Sequence, residues 1–185
     1  MRKLIGVVIS IFIVSFSNMA YSTDQIDFFK PSITKNNGSL NYEINKLGGY
    51  KFSLDKKWIN TTAQSALDKF NAIVFLRNDD ETQSLTFTVG ITPDAEKGNP
   101  INVKYLIEKS LTKKNIKYSV VSSKTYKIGD KDVEEIDVSL GNNRMMYVVG
   151  MFYKNLTVTG NLGYKADDPS TKKDLVWIFE SFQTY

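Results

Sequence analysis

The chain has 185 residues, a formal net charge of +4, and neither cysteine nor histidine. The two absences exclude Ser-His-Asp and Cys-His catalysis, thiolate chemistry, and zinc sites built on histidine or cysteine. A mixed population of 24 Lys+Arg against 20 Asp+Glu argues against a dedicated nucleic-acid binder, which carries a strong basic patch.

The chain opens on MRKLIGVVISIFIVSFSNMAYS. Arg2 and Lys3 precede an apolar run from Leu4 to Phe16. Ala20 and Ser22 then stand three and one residues before a cleavage point at Thr23. This is the layout of a secretory signal peptide over residues 1–22. A retained anchor is the rival reading, but the run falls short of the roughly 20 apolar residues that span a bilayer. Cleavage takes Arg2 and Lys3 away and lowers the net charge from +4 to +2, with no membrane span left in the mature chain. With no cysteine after the run, lipid attachment at a new N-terminal cysteine is excluded. The expected location is the periplasm or the exterior. The remaining length predicts one domain over residues 40–185, large enough to fold without disulfides. Residues 23–39, with Pro31, two asparagines and Gly38, read as a flexible leader, whose Asp27-Phe28-Phe29 docks on the core, serves as a recognition segment or is disordered.

Strand patterns begin at residue 40. Leu40 to Ile44 and Tyr50 to Leu54 alternate, and Ala72 to Leu76 is continuously apolar. Leu85, Phe87, Val89 and Ile91 alternate with Thr86, Thr88 and Gly90. Ile116–Val120 and Thr125–Ile128 read as two strands. Ile136, Val138 and Leu140 face one way, and Glu135, Asp137 and Ser139 the other. Met145 to Tyr153, apolar on both faces, reads as a central strand, and Leu156 to Tyr164 alternates again. Turns at Ile128–Asp132 and Leu140–Arg144 carry glycine and Asx residues and predict hairpins, hence a mostly antiparallel sheet.

Two stretches have helical spacing. Val103, Leu106, Ile107 and Leu111 form one stripe, opened by Asn99-Pro100 or Asn102 and closed by Lys113 and Lys114. Leu175, Ile178, Phe179 and Phe182 form another, with Asp168-Pro169 as N-cap and first turn. A further helical turn is expected within residues 61–70. Trp58, directly after the polar turn Asp55–Lys57, is expected to fold back as a lid on the sheet end or core edge.

The pieces GGYKFSLDKKW, NPINVKYLIEKSL, the long stretch from Tyr126 to Tyr164, and KKDLVWIFESFQ resemble the PsbP-like fold superfamily. That superfamily includes extrinsic photosystem II subunits, Ran-binding Mog proteins and bacterial periplasmic proteins of the DcrB type. Its pattern is a strand ending in Pro-x-x-Trp, a helix, a hairpin with glycine at its tip, a long central strand, and a C-terminal helix ending in a Ser-Phe-like step. Asp55 stands where the proline is usual, while Ser181 and Phe182 match the final step. The resemblance covers residues 48–182. It implies an α+β fold, an α-β-α sandwich whose mostly antiparallel central sheet is covered by helices on both faces. It also implies a non-enzymatic accessory or binding protein with no cofactor. No functional residue is carried over, since the matching positions are structural.

Three acidic groups are candidates for chemistry: Asp79, Asp80 and Glu81; Asp130, Asp132, Glu134, Glu135 and Asp137; and Asp167 and Asp168. Paired carboxylates serve glycosidic acid–base work at the right separation, or bind calcium through oxygen ligands. Solvated turns and strand faces are the alternative. Asp130 and Asp132 are the first choice for a metal. A Ser-Lys or Tyr-based nucleophile stays open, but there is no nucleophile elbow, phosphate loop or dinucleotide fingerprint. The glycines of GNLGYK read as bulges or close backbone packing. Lys56, Lys57 and Trp58 are candidates for a partner-binding surface toward anionic envelope polymers, against the alternative of a solvated turn beside a packed Trp. Met145-Met146-Tyr147 is an adaptable surface or a buried strand. Asn37, Asn60 and Asn155 begin Asn-x-Ser/Thr triplets, which matter only where secreted proteins are glycosylated.

The expected function is a non-catalytic secreted or periplasmic accessory protein that binds an envelope or secreted protein partner and no nucleic acid. A carboxylate-based hydrolase or glycan-acting enzyme, and a small-ligand or calcium carrier, are the alternatives.

Overall fold

A computed structural model describes residues 30–33, 38–45, 47–62, 71–77, 79–80, 82–92 and 101–185. The signal segment 1–22, leader residues 23–29 and positions 63–70 of the expected helical turn lie outside the described residues. The elements in chain order are β1 (Lys30–Ile33), β2 (Ser39–Ile44), β3 (Tyr50–Asp55), β4 (Trp58–Asn60), β5 (Ala72–Arg77) and β6 (Ser84–Ile91). Then follow α1 (Val103–Lys113), β7 (Ser119–Ile128), β8 (Lys131–Ser139), β9 (Arg144–Tyr153), β10 (Leu156–Lys165), a 3₁₀ turn at Pro169–Thr171, α2 (Lys172–Ser181) and β11 (Gln183–Thr184).

The strands pair antiparallel throughout and form two sheets, ordered β1-β2-β3-β11 and β4-β5-β6-β10-β9-β8-β7. From β7 to β10 the chain is a meander of hairpins. At the tip between β7 and β8, Gly129 takes φ +62°, which the two-residue turn requires and glycine adopts at no steric cost. Asn142 and Asn143 take φ 52° and 58° in the next turn, and Lys154 takes φ 57° in a third that no glycine announces.

Side-chain alternation divides the core in two. On one face of the large sheet, Ile136, Val138, Met146 and Val148 pack with Val103, Ile107 and Leu111 of α1. The neighbouring positions Val133, Tyr147, Val149, Met151, Val158 and Leu162 join α2 and the small sheet in a second cluster. Aromatic rings fill that cluster: Phe87 lies 4.7 Å from Phe52, 5.9 Å from Phe179 and 6.0 Å from Phe182, centroid to centroid. Each such side chain contributes on the order of 1.5–3 kcal/mol by leaving water.

Two glycines let the layers approach. A Cβ on Gly150 would sit 2.5 Å from Val103, and one on Gly160 would sit 2.3 Å from Leu175 and 3.0 Å from Phe179. Close packing is therefore the reason for glycine in the GNLGYK strand.

Several expectations are corrected. The fold is α+β and mostly antiparallel, but the strands split into two sheets, and the four-stranded one shares its layer with α2. Leader residues Lys30–Ile33 form a strand on the open side of β2, where Pro31 is tolerated because an edge strand leaves half its donors unused. The two strands expected at Ile116–Val120 and Thr125–Ile128 are one strand, Ser119–Ile128, interrupted only by a register shift between Val120 and Ser122, and Ile116–Tyr118 stay outside it. Asn102 does cap α1, accepting from the Tyr105 N–H at 2.9 Å. Asp168 does not cap α2: Pro169 opens the 3₁₀ turn and the Asp168 carboxylate is taken by other donors. The chain after α2 is not helical but pairs with β3 through β11.

Candidate functional site

The turn after β3 is built by Asp55. Its Oδ1 accepts the Lys57 N–H at 2.9 Å, an Asx turn that does with a hydrogen bond what proline does with a ring. The turn delivers Trp58 to the interior. Trp58 is 1% exposed: it folds back into the core as a packed Trp beside the turn, and its side chain offers nothing to a partner-facing surface. The reason is Asp174 on the first turn of α2, itself buried. The Trp58 Nε1–H donates to Asp174 Oδ2 at 3.0 Å and Lys57 Nζ pairs with the same oxygen at 3.0 Å. An anion there also meets the positive end of the helix dipole. Lys57 is thus half-buried and occupied, and of the three candidates only Lys56 is fully exposed.

The two metal candidates lie at the hairpin tip. Asp130 and Asp132 are exposed, and Asp132 pairs with Lys127 at 3.2 Å. Between them Lys131 turns inward and is buried, because successive residues of a strand face opposite sides. Its Nζ donates to the carbonyls of Phe179 at 3.1 Å and Phe182 at 2.8 Å, capping the C-terminal end of α2, and lies 5.1 Å from the Tyr153 ring centre. Burial lowers the Lys131 pKa, opposed by the charge of Asp130. Among the described residues, no three Asp or Glu side chains are grouped to hold a metal ion.

The rest of the second acidic group divides by strand parity. Glu134 faces α1, where its carboxylate accepts the Val103 and Lys104 N–H groups at the helix N-terminus. Glu135 and Asp137 face α2 and are buried, at 6% and 3% exposure. Tyr147 donates its hydroxyl to Glu135, and Lys124 pairs with Glu135 at 3.0 Å. Tyr164 donates to Asp137 at 2.8 Å, and Lys172 pairs with Asp137 while lying 5.4 and 5.2 Å from the ring centres of Tyr147 and Tyr164. Burial first, then hydrogen bonding to an anion, raises both tyrosine pKa values well above the ordinary 10.

The first and third acidic groups converge on Arg77. Its guanidinium donates to Asp79 and, at 2.7 Å, to Asp168; Gln83 Nε2 donates to Asp168 at 2.9 Å; and Lys165 pairs with Asp80 at 2.8 Å. The Ser170 hydroxyl and these donors hold Asp168 down to about 2, and Lys165 with Thr82 holds Asp80 lower still. A general acid for glycoside chemistry needs a raised carboxyl pKa, so the shift at this junction runs the wrong way.

Sequence reasoning missed Arg77, Asp174 and Lys131. None left a signal: Lys131 shares the alternation of Glu135 and Asp137, which reads as the solvent side of β8.

The matching residues of the C-terminal step are structural too: Ser181 Oγ accepts the Ser53 N–H at 2.8 Å and donates to the Trp177 carbonyl at 2.7 Å, while Phe182 is fully buried.

No family model and no curated protein matches this chain. Solved structures do. The solution structure of cyanobacterial PsbP (CyanoP) from Synechocystis superimposes with TM-score 0.64 at 15% identity, covering 83% of this chain and 98% of that one. The Saccharomyces cerevisiae Ran-binding protein Mog1p superimposes with TM-score 0.51 at 14% identity, covering 78% and 95%. The chain has the PsbP-like fold. Among the described residues, no helix is long and apolar enough to cross a membrane.

Proposed function

We propose that this chain is a non-catalytic accessory protein, secreted or periplasmic, that binds a protein partner or envelope component. The observation that carries the reading is the commitment of its carboxylates. Asp80, Asp168, Asp174, Glu135 and Asp137 each accept from donors elsewhere in the chain, and where a shift is resolved it stabilises the anion. Such groups hold elements together, and Asp80 and Asp168, whose pKa values are lowered, have no proton to give near neutrality. The same fold in a Ran-binding protein supports a role in protein binding. The sequence of residues 1–22 supports export.

Three experiments test this. Intact mass of the protein expressed from its full coding sequence reports the N-terminus, and a product beginning at Thr23 is expected. Immobilised protein exposed to native envelope extract is expected to retain a saturable partner. Turnover of an envelope substrate that is abolished by Glu135→Gln or Asp137→Asn, with the fold intact, refutes the non-catalytic reading.

A further inference from the structure

Two sheets have four outer strands. β4, β1 and β11 have three, four and two residues. Brevity of this kind keeps unpaired backbone groups from recruiting other chains. β7 is different. It has ten residues, seven of them exposed in an unbroken run from Ser119, and no strand among the described residues lies along its outer side. The pairing to β8 passes from Val120↔Val138 to Ser122↔Asp137, so Val121 drops out of the ladder. Val120 and Val121 are 37% and 59% exposed. Beyond that bulge, Ser122 to Ile128 pair with β8 residue for residue.

The charge carried by β7 itself and by the segment leading into it has one sign. From Lys109 to Gly129 the sequence carries six lysines and no Asp or Glu. All six are exposed. Lys124 pairs with Glu135 and Lys127 with Asp132, both across to β8, while no ion pair involves Lys113, Lys114 or Lys117 among the described residues. A second copy of this edge would bring lysines toward lysines, which disfavours self-pairing. A row of open N–H and C=O groups is matched by another extended backbone.

We propose that β7 accepts an extended, acidic segment of a partner protein as an added strand, paired along Ser122–Ile128. Because side chains alternate across the sheet, Lys124 and Lys127 lie on opposite faces, and acidic residues on either side of the added strand meet a lysine. Val120 and Val121 offer an apolar contact at the end of the groove. This deepens the accessory-protein reading and rests on it.

The probe is a synthetic peptide of about nine residues alternating glutamate with valine or threonine, long enough to follow the strand. It is compared with the same peptide carrying lysine for glutamate, and with vesicles of an anionic phospholipid. The full-length protein is expected to bind the acidic peptide saturably, with slowed amide hydrogen exchange over Ser122–Ile128. Binding should weaken at least about tenfold in Lys124→Glu/Lys127→Glu and fall with added salt. Lys124→Glu sets a carboxylate beside buried Glu135, so circular dichroism checks the fold, and Lys124→Gln/Lys127→Gln, which removes the charges without reversing them, should weaken binding in the same direction. Absence of saturable binding, protection elsewhere, or vesicle binding without slowed exchange in β7 overturns the proposal. Envelope capture separates the two levels: a partner retained equally by the variant removes the edge assignment and leaves the accessory reading, whereas no partner for the unaltered protein removes that reading.

Discussion

Raising the pH should unfold this protein through its buried tyrosines. Tyr50, Tyr147 and Tyr164 are at most 5% exposed, and their pKa values lie well above 10, chiefly because burial disfavours the phenolate. Tyr147 and Tyr164 also donate to the carboxylates of Glu135 and Asp137, which the phenolate form would repel. In the unfolded chain these groups ionise near their ordinary value. The folded pKa is the higher one, so the stability they contribute is complete below about pH 10 and is lost as pH rises. One pH unit above the unfolded pKa costs about 1.4 kcal/mol per tyrosine, hence about 4 kcal/mol for the three by about pH 11. That is a large part of a typical 5–15 kcal/mol. Lys131 acts with the opposite sign: its folded pKa is lowered, so its contribution grows as pH rises toward the unfolded lysine value and is then complete. Urea unfolding between about pH 8 and 11, with tyrosinate absorbance read in parallel, tests the argument. Tyr164→Phe should flatten the slope above pH 10 by about 1.4 kcal/mol per unit. Stability that stays level across this range, or native titration of all ten tyrosines near their ordinary pKa, refutes it.

Three substitutions probe the contacts that join the layers. Trp58→Phe keeps an aromatic ring but is smaller and removes a donor from buried Asp174, and a loss of about 1–3 kcal/mol is expected in denaturant melts. Gly160→Ala drives a methyl into Leu175 and Phe179; a cost of about 1–3 kcal/mol or more is expected, relieved in part by Leu175→Ala in a double-mutant cycle. Lys131→Met uncaps the carbonyls of Phe179 and Phe182 and should cost about 1.5–3 kcal/mol, while Asp130→Asn and Asp132→Asn stay within about 0.5 kcal/mol. Equal losses for Lys131→Met and its exposed neighbours in thermal melts would refute the cap.

Much of the fold was legible because its strands and helices record their burial in their own periodicity. The strand from Met145 to Tyr153 reads as covered on both sides, and it lies between β8 and β10. The Val103–Leu111 stripe reads as a helix and packs on the sheet as one. Very short elements were not legible. β4 and β11 have three and two residues and carry no period; they exist because β5 and β3 offer them partners. The site was harder still. Glu135 and Asp137 read as the solvent side of β8, since alternation marks them as opposite to Ile136 and Val138. Both are buried because α2 and the small sheet cover that side.

By itself the sequence determined the antiparallel character, most of the long strands, the two helices among the described residues and the lack of histidine and cysteine chemistry. These follow from local spacing and from composition, which no packing can change. Tertiary structure alone decided that Trp58 points inward, that Lys131 closes a helix, and that Arg77 gathers acidic turns distant along the chain. Asp174 and Trp58 are 116 positions apart, and Lys131 and Phe182 are 51 apart. A local pattern tells which face of an element avoids water, but not which distant side chain is folded against it.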